Sequence, residues 1–296
     1  MKIAGHTMGT PELSIGQAVE LFSKIGMDAV EIVCQDGYQS GFSSEISSDE
    51  ARAIKRMVEK AGLMVSCITP YASDFNALSK LKRDKSIREI MNCIQIASVF
   101  ESHNIRIYGG TLLTEDTENI SEKRRILVET LRNLGDEAQK NDVCLVVENH
   151  FNTMTTTAEK TQSIIAEINH PAVKILYDQA NLAFIQGEDF KEAIRIQGEN
   201  IAYVHVKDLV FKDAHAEFKA SDVTHVSEEE RTVRSRIPGE GIIPWPEIIK
   251  QLMEVDYDGY LSLEYERRWH PDDLPVAAQG MKKGADYLKD ILNLLK

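Results

Sequence analysis

Short β-rich runs alternate with helical patterns along the whole 296-residue chain. Strands that are apolar almost throughout and are separated by helices indicate a parallel sheet with helices on its faces. Eight such units favour a closed (β/α)8 TIM barrel over an open, doubly wound sheet. The eight predicted strands are Lys2–Gly5, Ala29–Val33, Met64–Ile68, Ile105–Tyr108, Cys144–Glu148, Lys174–Asp178, Ala202–Val206 and Tyr260–Glu264.

Polar residues at the predicted helix ends support this division. Gly26 and Gly62 lie where helices should end, because glycine tolerates the left-handed conformation that stops a helix. No glycine-rich fingerprint follows the first predicted strand, which argues against a dinucleotide-binding open sheet. Three Ser/Thr-x-x-Glu/Gln patterns predict capping boxes at helix starts: Ser14 with Gln17, Ser47 with Glu50, and Thr156 with Glu159.

Composition excludes several kinds of partner. The net charge of −13 argues against a nucleic-acid backbone or an anionic membrane as the main partner. The start of the chain lacks the apolar core of a signal peptide, and no run approaches membrane-spanning length. We therefore expect a cytoplasmic protein with reduced thiols and, because no linker divides the chain, one domain over residues 1–296. The four cysteines have no CxxC spacing: Cys34, Cys67, Cys93 and Cys144.

One long insertion separates the seventh and eighth predicted strands. It runs from Asp208 to Gly259 and contains the polar stretch Lys212–Arg236, a Pro-Gly-Glu-Gly turn at Pro238–Gly241, and a predicted helix near Trp245–Met253. In a barrel this insertion leaves from the C-terminal rim, where active sites lie. A long loop at that position favours a lid or a partner surface, and homo-oligomerisation through it is one such use.

Four of the strand-like runs end on a side chain that can bind a metal ion. The carboxyl ends of neighbouring parallel strands meet at one edge, so these side chains should surround one point. Each alone is more often a helix cap or an ion-pair partner, but carboxylates cannot crowd together without a cation or a proton. Three carboxylates and an imidazole predict a divalent-metal site, with the ligands Glu148, Asp178, His205 and Glu264.

Alternate residues of a strand share a face, which extends the predicted site by one layer. His150 follows Glu148 at this spacing, Lys207 follows His205, and Glu266 follows Glu264. We expect these three residues to face the substrate. Two further substrate-binding candidates lie at the ends of the first and fourth predicted strands: His6 and Tyr108.

Several segments together carry a family resemblance that spans essentially the whole chain. The chain resembles the xylose isomerase-like sugar phosphate isomerase/epimerase superfamily, a group of AP endonuclease family 2-like TIM barrels. The matching segments are Gly26-Met27-Asp28-Ala29-Val30-Glu31, Val-Val-Glu148-Asn149-His150, Tyr177-Asp178-Gln179-Ala180-Asn181, His205-Val206-Lys207-Asp208, Pro238-Gly239-Glu240-Gly241 and Gly259-Tyr260-Leu261-Ser262-Leu263-Glu264-Tyr265-Glu266.

The resemblance implies roles for individual residues. In this family a Glu, Asp, His, Glu quartet holds one divalent ion, usually manganese, magnesium, cobalt or zinc, and it matches the four ligand candidates here. In its ketose 3-epimerases the two glutamates also move the proton, which implies catalytic roles for Glu148 and Glu264. Lys207 matches a lysine that reaches a substrate oxygen or a carboxylate ligand. Arg236 resembles an arginine that contacts the substrate.

These parts predict a metal-dependent isomerase or epimerase that acts on a small keto-sugar, or its phosphate, through an enediolate. A dehydratase of an inosose-like polyol ketone and a non-catalytic sugar-binding barrel are the alternatives. The family's three-zinc endonuclease branch needs further histidines, whereas the third and fourth strands end here at Cys67–Thr69 and Tyr108–Gly110, and Asn181 stands after Asp178. The ketose epimerases also tend to carry a histidine where Asn181 stands. We therefore expect a carbohydrate substrate and no nucleic acid.

Overall fold

The computed structural model describes residues 1–113, 116, 118–184, 188–212 and 231–296. Eight parallel strands form a closed barrel, which confirms the predicted fold class. Consecutive barrel strands pair with each other, and the last strand closes the barrel beside the first, with Lys2 opposite Tyr260. The barrel strands are β1 (Lys2–His6), β2 (Ala29–Cys34), β3 (Met64–Pro70), β4 (Asn104–Tyr108), β5 (Cys144–Glu148), β6 (Val173–Asp178), β7 (Ile201–Val206) and β10 (Tyr260–Leu263).

Helices surround the barrel and alternate with its strands. Two of the predicted capping boxes, at Ser14 and Ser47, are confirmed. The third prediction was wrong by one residue, because the extended backbone of Thr157 places that hydroxyl, and not Thr156, on the N–H of Lys160. In the described ranges the helices are α1 (Ile15–Lys24), α2 (Ser48–Lys60), α3 (Lys80–Phe100), α4 (Ile120–Lys140), α5 (Ala158–Ile168), α6 (Gln179–Leu182), α7 (Phe190–Gln197), α8 (Trp245–Glu254) and α9 (Ala277–Leu294).

Side chains of the strands fill two regions. Alternate residues such as Ile32, Ile68 and Ile107 belong to the large apolar core that also contains side chains of the helices. The residues between them face the barrel interior, because successive strand residues point to opposite faces. A small apolar layer lies there, two residues before the predicted ligands on three of the strands: Cys67, Val146, Leu176 and Tyr203.

The insertion after β7 begins with an antiparallel pair. The strands β8 (Asp208–Phe211) and β9 (Val233–Arg236) pair with each other, so the polar stretch predicted over Lys212–Arg236 includes a strand at its end. Val233 and Ser235 of this strand are buried while the two arginines are half-buried, an alternation that a short Val-Arg-Ser-Arg sequence does not reveal. Residues 213–230, where most of the predicted lid falls, lie outside the described residues.

The carboxylate of Asp208 organises the turn that follows β9. It accepts hydrogen bonds from the backbone N–H groups of Gly239 at 2.9 Å, Gly241 at 3.1 Å and Ile243 at 3.0 Å. A side chain at Gly241 would collide with this carboxylate, which explains the glycine. Asp208 therefore holds the Pro-Gly-Glu-Gly turn against the end of β7. None of the helices in the described ranges has the length and apolarity needed to cross a membrane.

Candidate metal centre

Four side chains meet at the C-terminal mouth of the barrel, as the sequence pattern predicts. Glu148 and Asp178 end β5 and β6, His205 lies in β7, and Glu264 directly follows β10. One ligand atom from each lies within 4.8 Å of the others, and all four residues are buried. The set of three carboxylates and one imidazole matches the donors that manganese, magnesium, cobalt and zinc accept.

Two cationic side chains lie against these carboxylates. The Nζ of Lys207 is 2.9 Å from both Asp178 Oδ2 and Glu264 Oε2. The Nδ1 of His205 is 3.3 Å from Glu148 Oε1 and 3.4 Å from Glu264 Oε2. The imidazole nitrogen that would bind a metal ion therefore already faces two of the other three ligand candidates.

The pKa values of this cluster reflect buried negative charge. Burial raises the pKa of Asp178 to about 7, with Lys207 opposing the rise and the carboxylates of Glu264 and Glu148 adding to it. Burial would lower the pKa of His205, but Glu264 and Glu31 outweigh it and raise that pKa well above its usual value. The protein thus needs positive charge at this point, which fits the binding of a divalent cation.

A buried arginine fixes one of the predicted ligands. The Nε of Arg106 donates to Glu148 Oε2 at 2.7 Å, and its Nη2 contacts the same oxygen. Burial alone would raise the pKa of Glu148, but Arg106 overcomes this effect and holds the pKa at about 2. The other oxygen of Glu148 accepts from Asn181 Nδ2 at 3.3 Å and faces His205. Glu148 is therefore fully ionised and held in one orientation.

A second carboxylate supports His205 from the opposite side. Glu31, at the centre of β2, accepts the Nε2–H of His205 at 3.1 Å. It also accepts hydrogen bonds from the hydroxyl groups of Ser262, at 2.6 Å, and Thr69. This contact keeps a proton on Nε2 and turns Nδ1 towards the metal site, where Nδ1 can bind a cation once it gives up its own proton, an arrangement common around metal-binding histidines.

Asn181 links two ligand candidates. Its Nδ2 donates to Asp178 Oδ2 at 3.0 Å as well as to Glu148, while its backbone N–H donates to Asp178 Oδ1 at 2.9 Å. The second contact is the N-cap of the short helix α6, so the same carboxylate both starts a helix and faces the site. Local helix geometry therefore sets the direction of Asp178.

Lys207 and His150, two of the residues predicted to face the substrate, each make several contacts with other candidate residues. Lys207 contacts Glu266 at 3.6 Å in addition to its two closer partners. The ring of His150 packs edge-on against Tyr108, with centroids 4.9 Å apart, and its Nδ1 donates to the carbonyl of Phe151. Burial lowers the pKa of His150 to about 4, so its imidazole is neutral. Tyr108 in turn stacks on the Arg106 guanidinium at 3.6 Å.

Two further substrate-binding candidates are His6 and Arg236. His6 is fully buried; its Nδ1 accepts the N–H of Met8, and its Nε2 is 3.4 Å from Glu31 Oε1. It therefore lies behind His205, in contact with the supporting carboxylate. Arg236 is half-buried in β9, and its guanidinium donates to the carbonyl of Ser235. Among the described residues it has no hydrogen bond to the four ligand candidates.

The sequence interpretation did not single out Arg106 or Glu31. Both carried a usable signal, because each is a charged residue between two isoleucine or valine residues of a buried strand. Such a residue faces the barrel interior, where a charge needs a partner. Their partners, however, are distant in sequence; Glu31 and His205 are 174 residues apart.

Comparison with known proteins places this barrel in a family. The model of the xylose isomerase-like TIM barrel family matches residues 19–291. The chain belongs to this family. It is 28% identical to an inosose dehydratase of Clostridium perfringens over 176 residues, which cover 58% of this chain and 56% of that protein. It is 25% identical to a 3-dehydroshikimate dehydratase of Bacillus anthracis over 183 residues, 62% of each chain. The chain thus spans about half to two thirds of the length of these relatives.

Solved structures of this family share the fold over nearly the full length. A probable 3-DHS dehydratase from Bacillus anthracis superposes with a TM-score of 0.77 at 20% identity and covers 98% of this chain and 99% of its own. A D-psicose 3-epimerase, crystallised in the presence of D-fructose, gives a TM-score of 0.76 at 16% identity, with 99% of each chain covered. At this level of sequence identity, the similarity to these structures establishes a shared fold and nothing more.

Proposed function

We propose that this protein is a divalent-metal-dependent dehydratase of a small polyhydroxylated ketone. The observation that carries the proposal is the convergence of Glu148, Asp178, His205 and Glu264 at one buried point of the barrel mouth. A divalent cation held by these four residues would polarise the ketone oxygen and stabilise the negative charge that develops there. The names of the relatives that match by sequence support the choice of reaction.

Glu264 is the residue to which we assign the proton transfer. Its Oε2 is 2.9 Å from Lys207 and 3.4 Å from His205, but its Oε1 has no hydrogen bond or ion pair with a described residue, whereas both oxygens of Glu148 are engaged by Arg106, Asn181 and His205. The less constrained carboxylate can take the proton from the carbon beside the carbonyl. The C–H electrons become the new double bond, the hydroxyl of the next carbon leaves, and the same carboxyl returns its proton to that hydroxyl as water.

Cationic side chains hold both glutamates. Arg106 contacts Glu148 and Lys207 contacts Glu264, and these contacts lower the pKa of each carboxyl despite its burial. An ionised carboxylate can start either dehydration or epimerisation, so the choice of dehydration rests on the names of the relatives that match by sequence.

Epimerisation of a ketose remains the second candidate, with Glu148 and Glu264 exchanging the proton on opposite faces of the substrate. The observation that favours it is that both glutamates reach the same point. Each activity begins with removal of the same proton, so the product distinguishes the two.

The experiment is a set of proton NMR time courses in D2O with the Mn²⁺-supplied protein and three ketones: an inosose, 3-dehydroshikimate and D-fructose. We expect signals of a new unsaturated product from at least one of the first two, and none with the matched Asp178→Asn variant. A new epimer of D-fructose in place of dehydration would support the second candidate. No change of any ketone, in a protein whose stability is unaffected by chelators, would favour a non-catalytic sugar-binding barrel.

A further inference from the structure

Arg268 lies at the barrel mouth among three aromatic rings. It belongs to the short helical turn Glu266–Arg268 that follows β10. Its guanidinium carbon is 4.5 Å from the ring centroids of Tyr38 and Trp269 and 5.1 Å from that of Tyr71. These rings come from the segments that follow β2, β3 and β10. Three rim segments therefore fix the position of one cation.

The hydrogen bonds of this guanidinium are incomplete. Its Nη2 donates to Gln35 Oε1 at 2.7 Å. Its Nη1 is buried and donates to none of the described residues. A buried donor without an acceptor costs free energy, so such groups are rare in native proteins and call for an explanation.

Charge pairing also distinguishes Arg268 from its neighbours. Arg106 is paired with Glu148, and Lys207 with Asp178 and Glu264. No carboxylate in the described ranges pairs with Arg268, although the chain carries 47 acidic residues against 34 lysines and arginines. The mouth of the barrel thus contains a cation that is held in place but not neutralised.

Tyr71 connects this cation to the candidate metal centre. Its ring lies 5.7 Å from the guanidinium carbon of Arg106 and 5.1 Å from that of Arg268, so the two carbons are within about 11 Å of each other. Arg106 binds Glu148 directly. Trp269, whose ring also contacts Arg268, is 37% exposed, so this cluster of rings reaches the protein surface.

We propose that Arg268 binds an anionic substituent, a carboxylate or a phosphoryl group, of the molecule whose ketone is bound at the metal centre. Planar guanidinium groups form strong, directional hydrogen bonds with such groups. The surrounding rings restrict the side chain beforehand, so little conformational entropy is lost on binding. This inference depends on the proposed function in one respect: the same small molecule binds at the metal centre and at Arg268.

The test is a calorimetric measurement of binding to the Mn²⁺-supplied protein with two matched pairs of probes. The first pair is 3,4-dihydroxybenzoate and catechol, which differ by a carboxylate. The second is D-fructose 6-phosphate and D-fructose, which differ by a phosphoryl group. In at least one pair we expect the charged probe to bind about tenfold more tightly or better, as for a charged hydrogen bond. The pair that shows the preference identifies the anionic group.

Variants assign the preference to Arg268. Arg268→Gln should abolish it, whereas Arg195→Gln, which removes one exposed arginine from α7, should leave it unchanged. Arg268→Lys keeps the charge without the planar fork, so a reduced preference in that variant supports the proposal even if Arg268→Gln folds poorly. Equal or undetectable binding of both members in each pair, or a preference that survives in both Arg268 variants, overturns it. These measurements need no turnover, so they separate this proposal from a failure of the proposed reaction.

Discussion

The guanidinium of Arg106 binds a single oxygen of Glu148 inside the barrel: Nε lies 2.7 Å from Oε2, and Nη2 contacts the same atom. Both side chains are buried. Each side chain therefore needs the other in order to stay ionised, because a lone buried ion is strongly unfavourable. Arg106 also stacks on Tyr108, which connects this pair to the predicted substrate-facing layer.

Removal of Arg106 should destabilise the metal-free protein. We expect Arg106→Met to lower the free energy of unfolding by about 3–5 kcal/mol, because Glu148 is left buried without its partner. The double variant Arg106→Met/Glu148→Gln should recover part of this loss. Urea unfolding curves of the three proteins in the presence of a chelator measure the difference. A double variant no more stable than Arg106→Met would contradict the assignment of the cost to an unpaired charge.

Glu31 should act through His205 on metal affinity. Loss of a carboxylate that orients a metal-binding histidine typically weakens metal binding about 10–100-fold, and we expect this of Glu31→Ala. Glu31→Gln should have a smaller effect, since its amide oxygen can still accept the Nε2–H of His205. Competition with a chelator gives the Mn²⁺ affinities, and Glu20→Ala, an exposed change on α1, is the control. Wild-type affinity in Glu31→Ala would show that this contact does not position the ligand.

The insertion should be shortened at 213–230 rather than over Lys212–Arg236, because β9 is part of the sheet with β8. Lys212 N–H donates to Thr232 O at 2.8 Å, so the ends of the removed piece are close enough for an Asn-Gly turn. We expect an unchanged melting temperature and a Michaelis constant raised several-fold. Steady-state kinetics with a turned-over ketone would measure this, and an unchanged constant would show that the segment is not a lid.

The strands and the grouping of the four ligand candidates could be predicted from the sequence for the same reason. Both depend on regular spacing: apolar runs mark strands, and the carboxyl ends of parallel strands meet, so Glu148, Asp178, His205 and Glu264 could be grouped without any contact information. Contacts between distant segments could not be predicted in this way. Glu31 beside His205, and Arg268 among Tyr38, Tyr71 and Trp269, depend on the packing of several rim segments.

His270 should make stability depend on pH. Burial is the main cause that lowers its pKa below 6.5 in the folded protein, so the unfolded chain binds its proton first as the pH falls. The stability it contributes is present above about pH 6.5 and is lost as the pH falls from there towards the folded-state pKa, by at most about 1.4 kcal/mol per pH unit for one proton. Between pH 5 and 8 the melting temperature of His270→Gln should therefore change less with pH than that of the wild type. The same pH dependence in both proteins would contradict the assignment.

The central claim is that one cation is held by Glu148, Asp178, His205 and Glu264. The most direct test is anomalous diffraction from crystals grown with Mn²⁺. We predict one manganese peak at the barrel mouth, about 2.0–2.3 Å from a donor atom of each of the four side chains, and its loss in Asp178→Asn. Crystals with no manganese at this position, while Lys207 remains between Asp178 and Glu264, would contradict the account.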